Sequence, residues 1–136
     1  ARQEETANRD IVEEVIRFVT PRNNFFRNVA SDPTLAGTDL VAGDRLILLY
    51  PAANRDPRVF DDPTRFDVTR SPNPHLGFGQ GTHFCVGANL ARYELTILFE
   101  ELTRRICDLT PVSEPDVEPN IFARAVRSFR LGFALR

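Results

Sequence analysis

Apolar positions near the start of the chain recur at helical intervals. Ile11, Val15 and Phe18 are spaced as on one face of a helix, which predicts an amphipathic helix that begins at Asp10 and ends before Pro21. The nine residues before Asp10 are polar and predict a frayed lead-in.

Strand-like runs separated by turns occupy much of the remaining chain. Thr34–Leu40 and Arg45–Tyr50 are predicted to form a hairpin across an intervening Ala-Gly-Asp turn. Ile106–Val112 and Ile121–Phe133 are two further strand-like pieces, separated by the Pro-rich turn Ser113–Pro119.

Two other segments complete the predicted fold. Pro51–Pro74 is rich in Pro, Asp and Arg, which predicts an ordered loop held by side-chain hydrogen bonds. A long second helix is predicted by apolar residues at helical spacing after Val86, namely Ala88, Ala91, Leu95, Leu98 and Leu102. We therefore expect a mixed α+β fold, mainly helical with small β-hairpins.

Composition limits the possible functions. The 136 residues allow one domain, and the net charge of −2 provides no basic face for nucleic acid. No apolar run approaches the roughly 20 residues of a membrane span, so we expect no membrane partner and a cytoplasmic location. The two cysteines do not form a disulfide framework and suit a reducing compartment.

The segment from Phe78 to Gly87 contains the strongest chemical signal. Gly79 and Gly81 can adopt backbone angles that other residues avoid, and they let the main chain approach a flat ligand closely. Cys85 lies just before the second predicted helix, where free amide groups and the helix dipole favour a negative sulfur. This pattern is typical of a thiolate that ligates a metal.

His83 stands two residues before Cys85. In an extended segment both side chains would point to the same side, so one planar ligand could meet the sulfur at its centre and the imidazole at its edge. Haem, with central iron and peripheral carboxylates, has that shape.

The segment resembles the haem-binding signature of the cytochrome P450 monooxygenases, Phe-Gly-x-Gly-x-His-x-Cys-x-Gly. Every fixed position of that signature is filled, by Phe78, Gly79, Gly81, His83, Cys85 and Gly87. Glu14-Val15-Ile16-Arg17 is similar to the family's Glu-x-x-Arg helix, and Phe60–Asp67 to its meander. The Gly-Ala-Asn-Leu-Ala-Arg run after Cys85 is similar to the helix that follows the ligand cysteine in bacterial members.

The resemblance implies a cofactor, haem b, and a role for several residues. Cys85 would be the axial ligand of the haem iron, and its thiolate would push electron density toward the iron to help split the O–O bond. His83 and Arg27 would bind haem propionates. Phe78, Gly79 and Gly87 would form the cofactor-binding loop.

The same resemblance implies a supporting network and partners. Glu14, Arg17 and Arg65 would form a buried network on the proximal side of the haem. A ferredoxin or flavodoxin would deliver electrons, with a possible docking patch on Arg92, Arg104 and Arg105. A small apolar organic substrate would contact residues in two aromatic or apolar pairs, Phe25 with Phe26 and Ile121 with Phe122.

The resemblance also concerns the extent of the chain. We expect residues 1–136 to be a single C-terminal haem-binding portion of a cytochrome P450 domain, without the distal helix and most of the substrate pocket. The acid-alcohol pair for proton delivery belongs to that distal helix, so the sequence offers no catalytic residue beyond the haem ligand. The expected function is a haem-thiolate monooxygenase, or a fragment of one with little catalysis of its own.

Two alternatives stay open at this point. A truncated protein or sensor that binds haem without catalysis would share every motif. A structural zinc module could use His75, His83, Cys85 and Cys107, although no paired Cys or His knuckle is present.

Overall fold

The computed structural model describes residues 2–136, with side chains from residue 8 onward. Three α-helices and eight short strands follow one another within these described residues. They are α1 (Arg2–Val19), β1 (Asn24–Asn28), β2 (Thr34–Leu35), β3 (Thr38–Asp39), β4 (Arg45–Leu49), α2 (Tyr50–Ala53), α3 (Ala88–Arg105), β5 (Ile106–Pro111), β6 (Asp116–Glu118), β7 (Ala125–Ser128) and β8 (Leu131–Leu135).

Helix α1 begins at Arg2, so the predicted frayed lead-in before Asp10 is wrong. The early residues lack an apolar stripe, but they include Arg, Gln, Glu and Ala, which have good intrinsic helix propensity. The helix ends as expected: the Thr20 amide donates to the Ile16 carbonyl at 3.0 Å, and Pro21 follows.

The predicted pairing of the first hairpin is also wrong. Thr34–Leu40 folds on itself, because Ala36 and Gly37 both have positive φ (49° and 81°) and close a tight turn between β2 and β3. Strand β4 instead pairs antiparallel with β1, which the sequence analysis missed.

The C-terminal strands form two antiparallel pairs, one nested inside the other. β5 pairs with β8, and β6 pairs with β7 inside the connection. The Pro-rich segment Ser113–Pro119 is therefore not purely a turn, since it contains β6.

The loop after α2 is ordered by side chains, as predicted. Asn54 is buried and joins three segments: its Nδ2 donates to Thr20 Oγ1 at 3.0 Å, and its Oδ1 accepts from the Leu76 amide at 2.7 Å. The segment differs from the prediction at its start, because Tyr50–Ala53 forms the short helix α2.

The buried core is small and lies between α1, the loop after α2 and the start of α3. Its apolar members are Val12, Ile16, Val29, Tyr50, Phe60 and Ala88. Much of the apolar side of α3 lies outside this core, with Leu98 48% and Leu102 39% exposed. Across residues 2–136, no helix combines the length and apolarity needed to cross a bilayer.

Candidate functional site

The cysteine loop is a tight turn built on two glycines. Gly79 and Gly81 both have φ of +74°, the left-handed region that side chains disfavour. The Cys85 amide donates to the Phe78 carbonyl at 2.9 Å and closes the loop. Residues Gly81–His83 form a 3₁₀ turn, so the prediction of an extended segment there is wrong.

The Cys85 side chain faces solvent at the end of this loop. The Ala88 amide at the start of α3 donates to the Cys85 carbonyl at 3.2 Å. Gly87 caps the helix, and a Cβ at that position would lie 3.9 Å from Cys85 Sγ. The sulfur therefore stands beside a helix N-terminus with an open approach.

Aromatic rings support the loop from behind. Tyr50 is buried, and a Cβ at Gly79 would lie 3.6 Å from its hydroxyl oxygen. The Phe78 ring is half-buried, with its centroid 6.4 Å from that of Phe84 and 6.1 Å from that of His75. His83 and Phe84 are exposed, like Cys85.

Glu14 and Arg17 form a fully buried ion pair against the loop that follows α2, each with no exposed area. Arg17 Nε donates to Glu14 Oε2 at 2.7 Å, and Arg17 Nη2 to Glu14 Oε1 at 2.8 Å. Burial alone would raise the pKa of Glu14, but hydrogen bonds from Arg17 and the Asp67 amide, with the Arg17 and Arg70 charges, lower it.

Arg65 joins this network through its backbone. Its carbonyl accepts from Arg17 Nη2 at 3.0 Å, while its side chain is exposed. The guanidinium beside the pair belongs to Arg70, whose Nε lies 3.3 Å from Glu14 Oε2 without hydrogen-bond geometry. Sequence reasoning missed Arg70 because the loop contains several arginines and no spacing rule distinguishes them.

The remaining carbonyls of the network come from the same loop. Arg17 Nη1 donates to the carbonyls of Asn54 and Pro63, each at 2.8 Å. Asn73 Nδ2 donates to Glu14 Oε2 at 3.0 Å. One charged pair on α1 therefore fixes the path of the loop that leads to Cys85.

Arg27, the second predicted propionate ligand, lies on β1. It is half-buried, and its Nη1 donates to the Phe26 carbonyl at 2.9 Å. Strand β1 reaches the loop through Phe25, whose ring centroid lies 6.1 Å from that of Tyr50. The structure gives no direct contact between Arg27 and His83 among the described side chains, so their shared role stays a prediction.

Two of the four predicted substrate contacts, Phe26 and Phe122, lie against each other. The Phe26 and Phe122 ring centroids lie 6.0 Å apart, and Asn24 Nδ2 donates to the Ile121 carbonyl at 2.6 Å. Phe25, Ile121 and Phe122 are exposed. Strand β1 and the residue 120–124 turn thus share an apolar surface.

The predicted basic patch is largely paired. Arg92 donates to Glu13, while Arg104 and Arg105 both donate to Glu101 at 2.6 Å. The shared Glu101 leaves one net positive charge in that trio.

The four residues of the zinc alternative are not gathered. Cys107 lies on β5 opposite Ala134, whereas His75 Nε2 is 2.8 Å from Glu13 Oε2. Among the side chains described, from residue 8 onward, no three His, Cys, Asp or Glu residues are placed to hold a metal ion. The arrangement gives no support to a structural zinc module.

The residues around Cys85 fit a haem group. The donor is one open thiol, the flanking side chains of Phe84 and Val86 are exposed and apolar, and the two left-handed glycines keep Cβ atoms away from the turn. A large flat apolar ligand with a soft central metal matches this chemistry.

Comparisons with known proteins agree with the geometry. The family model described as Cytochrome P450 matches residues 8–126. A methyl-branched lipid omega-hydroxylase of Mycobacterium bovis is 49% identical over 105 residues, which are 76% of this chain and 24% of that protein. A steroid C26-monooxygenase of Mycobacterium tuberculosis is 45% identical over 108 residues, 79% of this chain and 29% of that protein.

Solved structures show the same relationship. P450BioI, in complex with an acyl carrier protein ligated to hexadec-9Z-enoic acid, superposes with a TM-score of 0.92 and 37% identity, covering 98% of this chain and 35% of that one. CYP109E1 from Bacillus megaterium, in complex with testosterone, gives a TM-score of 0.87 and 36% identity, covering 95% and 36%. The chain spans about a quarter of these curated relatives and about a third of these structures. The fold and the matched family model show that this chain belongs to the cytochrome P450 family.

Proposed function

We propose that this chain binds haem b through Cys85 and forms the cysteine-ligand portion of a monooxygenase. The observation that carries the proposal is the solvent-facing Cys85 on a loop with two left-handed glycines, at the N-terminus of α3. Haem, once bound, supplies the activation of molecular oxygen and the insertion of one oxygen atom into an organic substrate.

The residues of this chain would bind and orient the group. Cys85 would supply the thiolate ligand from its place at the amide end of α3. The Phe78 ring and the Gly79 turn would hold the porphyrin plane near the sulfur, and His83 and Arg27 would pair with its carboxylates. The Glu14–Arg17 pair, together with Arg65 and Arg70, would hold the proximal loop in place.

The substrate would be a small apolar organic molecule. The contact between the Phe26 and Phe122 rings and the exposed Phe25 and Ile121 side chains support this proposal, since apolar side chains bind by excluding water rather than by charge. The names of two relatives refer to a methyl-branched lipid and a steroid, which agrees with an apolar class.

Electrons would come from a ferredoxin or flavodoxin. The net positive charge of the Arg104–Arg105–Glu101 trio supports an acidic partner. Reversing the charge of Arg104 and Arg105 should slow reduction and weaken its dependence on salt; unchanged kinetics would remove this docking site.

Residues 1–136 would be one haem-binding portion of a larger P450 domain, in the cytoplasm. The exposed apolar side of α3, including Leu90 at 61%, supports this view, because an apolar helix face of this kind is normally covered by further protein. The partial coverage of the relatives also supports it.

A second candidate is haem binding without turnover. The small share of the relatives' length favours it for the isolated chain, since most of a P450 structure lies outside the matched part. Both candidates use the same loop and the same ligand.

Haem titration tests the shared part of these proposals. Added haem should bind the chain with one-to-one stoichiometry and a Soret change that Cys85→Ala alters. Cys107→Ala is the matched control, because Cys107 lies on β5, and it should leave the spectrum unchanged. Haem binding that is identical in all three proteins would contradict the ligand assignment.

A product assay then separates the two candidates. Product formed from O2, a reductase and a panel of apolar substrates supports the monooxygenase. A Cys85-dependent haem spectrum without any product supports the binder.

A further inference from the structure

A second charged cluster lies beside the Glu14 network and links α1, the cysteine loop and α3. Glu13 accepts from His75 Nε2 at 2.8 Å and from Arg92 through Nε at 2.5 Å and Nη2 at 2.9 Å. Arg92 was predicted as part of a docking patch and His75 appeared only in the zinc alternative, whereas Glu13 was not among the predicted site residues. The structure brings them into one cluster, here called the Glu13 cluster.

His75 has a defined orientation in the Glu13 cluster. Its side chain is 2% exposed, and its Nδ1 accepts from the Gly77 amide at 3.1 Å. Since Nδ1 accepts, the hydrogen of the neutral ring is on Nε2, which donates to Glu13. Glu13 thereby fixes the backbone of the residue that precedes Phe78.

Arg92 reaches Phe78 from the other side. Its two donors bind the Glu13 carboxylate as a fork, and its Cζ lies 4.6 Å from the centroid of the Phe78 ring. The Phe78 carbonyl in turn accepts from the Cys85 amide at 2.9 Å. Glu13 therefore reaches Phe78 by two routes, one through His75 and one through Arg92. The Phe78 carbonyl is the acceptor that closes the cysteine loop.

The Glu13 carboxylate is ionised at ordinary pH. Burial would raise its pKa, but hydrogen bonds from His75 and Arg92, together with the Arg92 charge, bring it down to about 2. The cluster borders a cleft of about 430 Å³ that Glu13 and Arg92 line, and their side chains are 15% and 31% exposed. Water can therefore reach these groups, and loss of the charge need not prevent folding.

We propose that Glu13 is a positioning residue for the thiolate ligand, acting through His75 and Arg92 on Phe78 and thus on Cys85. This inference rests on the proposed haem ligation. Glu13 acts only through its neighbours, because it contacts neither the Cys85 sulfur nor any reacting atom. Removal of the Glu13 carboxylate should make the bond between Cys85 and iron break faster. The amount of bound haem should change much less.

The test compares variants of the haem-loaded protein by the spectrum of the reduced, carbon-monoxide-treated form. A thiolate-ligated haem gives a band far to the red, and loss of that bond gives an unshifted band. Glu13→Gln should bind the same amount of haem but convert from the shifted to the unshifted band roughly 10-fold faster, at the low end of the roughly 10–100-fold effects of outer partners of metal ligands.

Glu101→Gln is the matched control, because Glu101 also accepts from two arginines but lies on the exposed end of α3. It should convert at the wild-type rate. Arg92→Lys keeps the charge but loses the fork and the planar contact with Phe78, so it should also convert faster than wild type.

Several results would overturn the proposal. One is a Glu13→Gln protein that converts at the wild-type rate. If Glu13→Gln does not fold, Arg92→Lys decides, and a wild-type rate in that variant overturns it. A wild-type protein without a Cys85-dependent shifted band would instead reject the proposed function, and with it this inference, before any variant is compared.

Discussion

Glu13 and Glu14 are adjacent on α1 and both accept from arginine, but their surroundings differ. Glu14 and Arg17 have no exposed area and bind loop carbonyls and amides on all sides. Glu13 is 15% exposed and Arg92 31%, beside an open cleft. The comparison indicates that the Glu14–Arg17 pair stabilises the fold. The Glu13–Arg92 pair instead positions the cysteine loop.

The largest effect is expected from breaking the buried pair. Arg17→Ala leaves Glu14 charged and without its main partner in a dry site, which costs about 3–5 kcal/mol. We expect no folded protein that retains haem, measured by circular dichroism and haem retention. Arg58→Ala, at an arginine 87% exposed and paired with Asp56, is the control and should change neither. A folded Arg17→Ala protein of wild-type stability would show that the pair does not hold the loop.

Two glycines of the loop should respond differently to alanine. A Cβ at Gly77 would lie 2.5 Å from Ile16 Cγ2, so Gly77→Ala must displace the loop from α1 and should cost about 1–3 kcal/mol. At Gly81 nothing lies within 4 Å of a Cβ, and Gly81→Ala should cost about 1–2 kcal/mol from the positive φ alone. Urea denaturation measures both, and Gly77→Ala should be the more destabilising of the two variants.

Acid should reveal the Glu13 charge. Its pKa is about 2 in the folded protein against an ordinary value of 4.5, so its contribution to stability is complete above pH 4.5 and is lost as the pH falls toward 2. Glu13→Gln should therefore lose less stability than wild type over that interval, as measured by denaturation midpoints at several pH values. Identical pH profiles of the two proteins would contradict the depressed pKa.

The smallest effect is expected at the surface of α3. Glu101→Gln removes the acceptor of Arg104 and Arg105, all of them on the solvent side of the helix. The denaturation midpoint should stay within experimental error at moderate salt, because exposed pairs are screened. A clear loss of stability would mean that this surface is covered in the folded protein.

Local elements were predicted better from the sequence than the pairing of strands. Helix α3 and the Phe78–Cys85 loop were found because helical spacing and paired glycines are local signals. Strand β1 was missed because its partner β4 lies some 20 residues away and Asn-Phe-Phe-Arg-Asn has no alternating pattern.

Contacts between charged residues far apart in the sequence were also difficult to predict. Glu14 and Arg17 share one helix face, so their pairing could be predicted from spacing. The approach of Arg70 in place of the Arg65 side chain depends on the path of an irregular loop. The meeting of Glu13 with Arg92, 79 residues apart, depends on how α1 and α3 pack.

The most direct test of the central claim is the absorption spectrum of the haem-loaded, reduced, carbon-monoxide-treated chain, recorded for wild type and Cys85→Ala. We expect a strongly red-shifted Soret band in wild type and its complete loss in Cys85→Ala. A shifted band that persists without the Cys85 sulfur, or a wild-type spectrum without the shift, would contradict it.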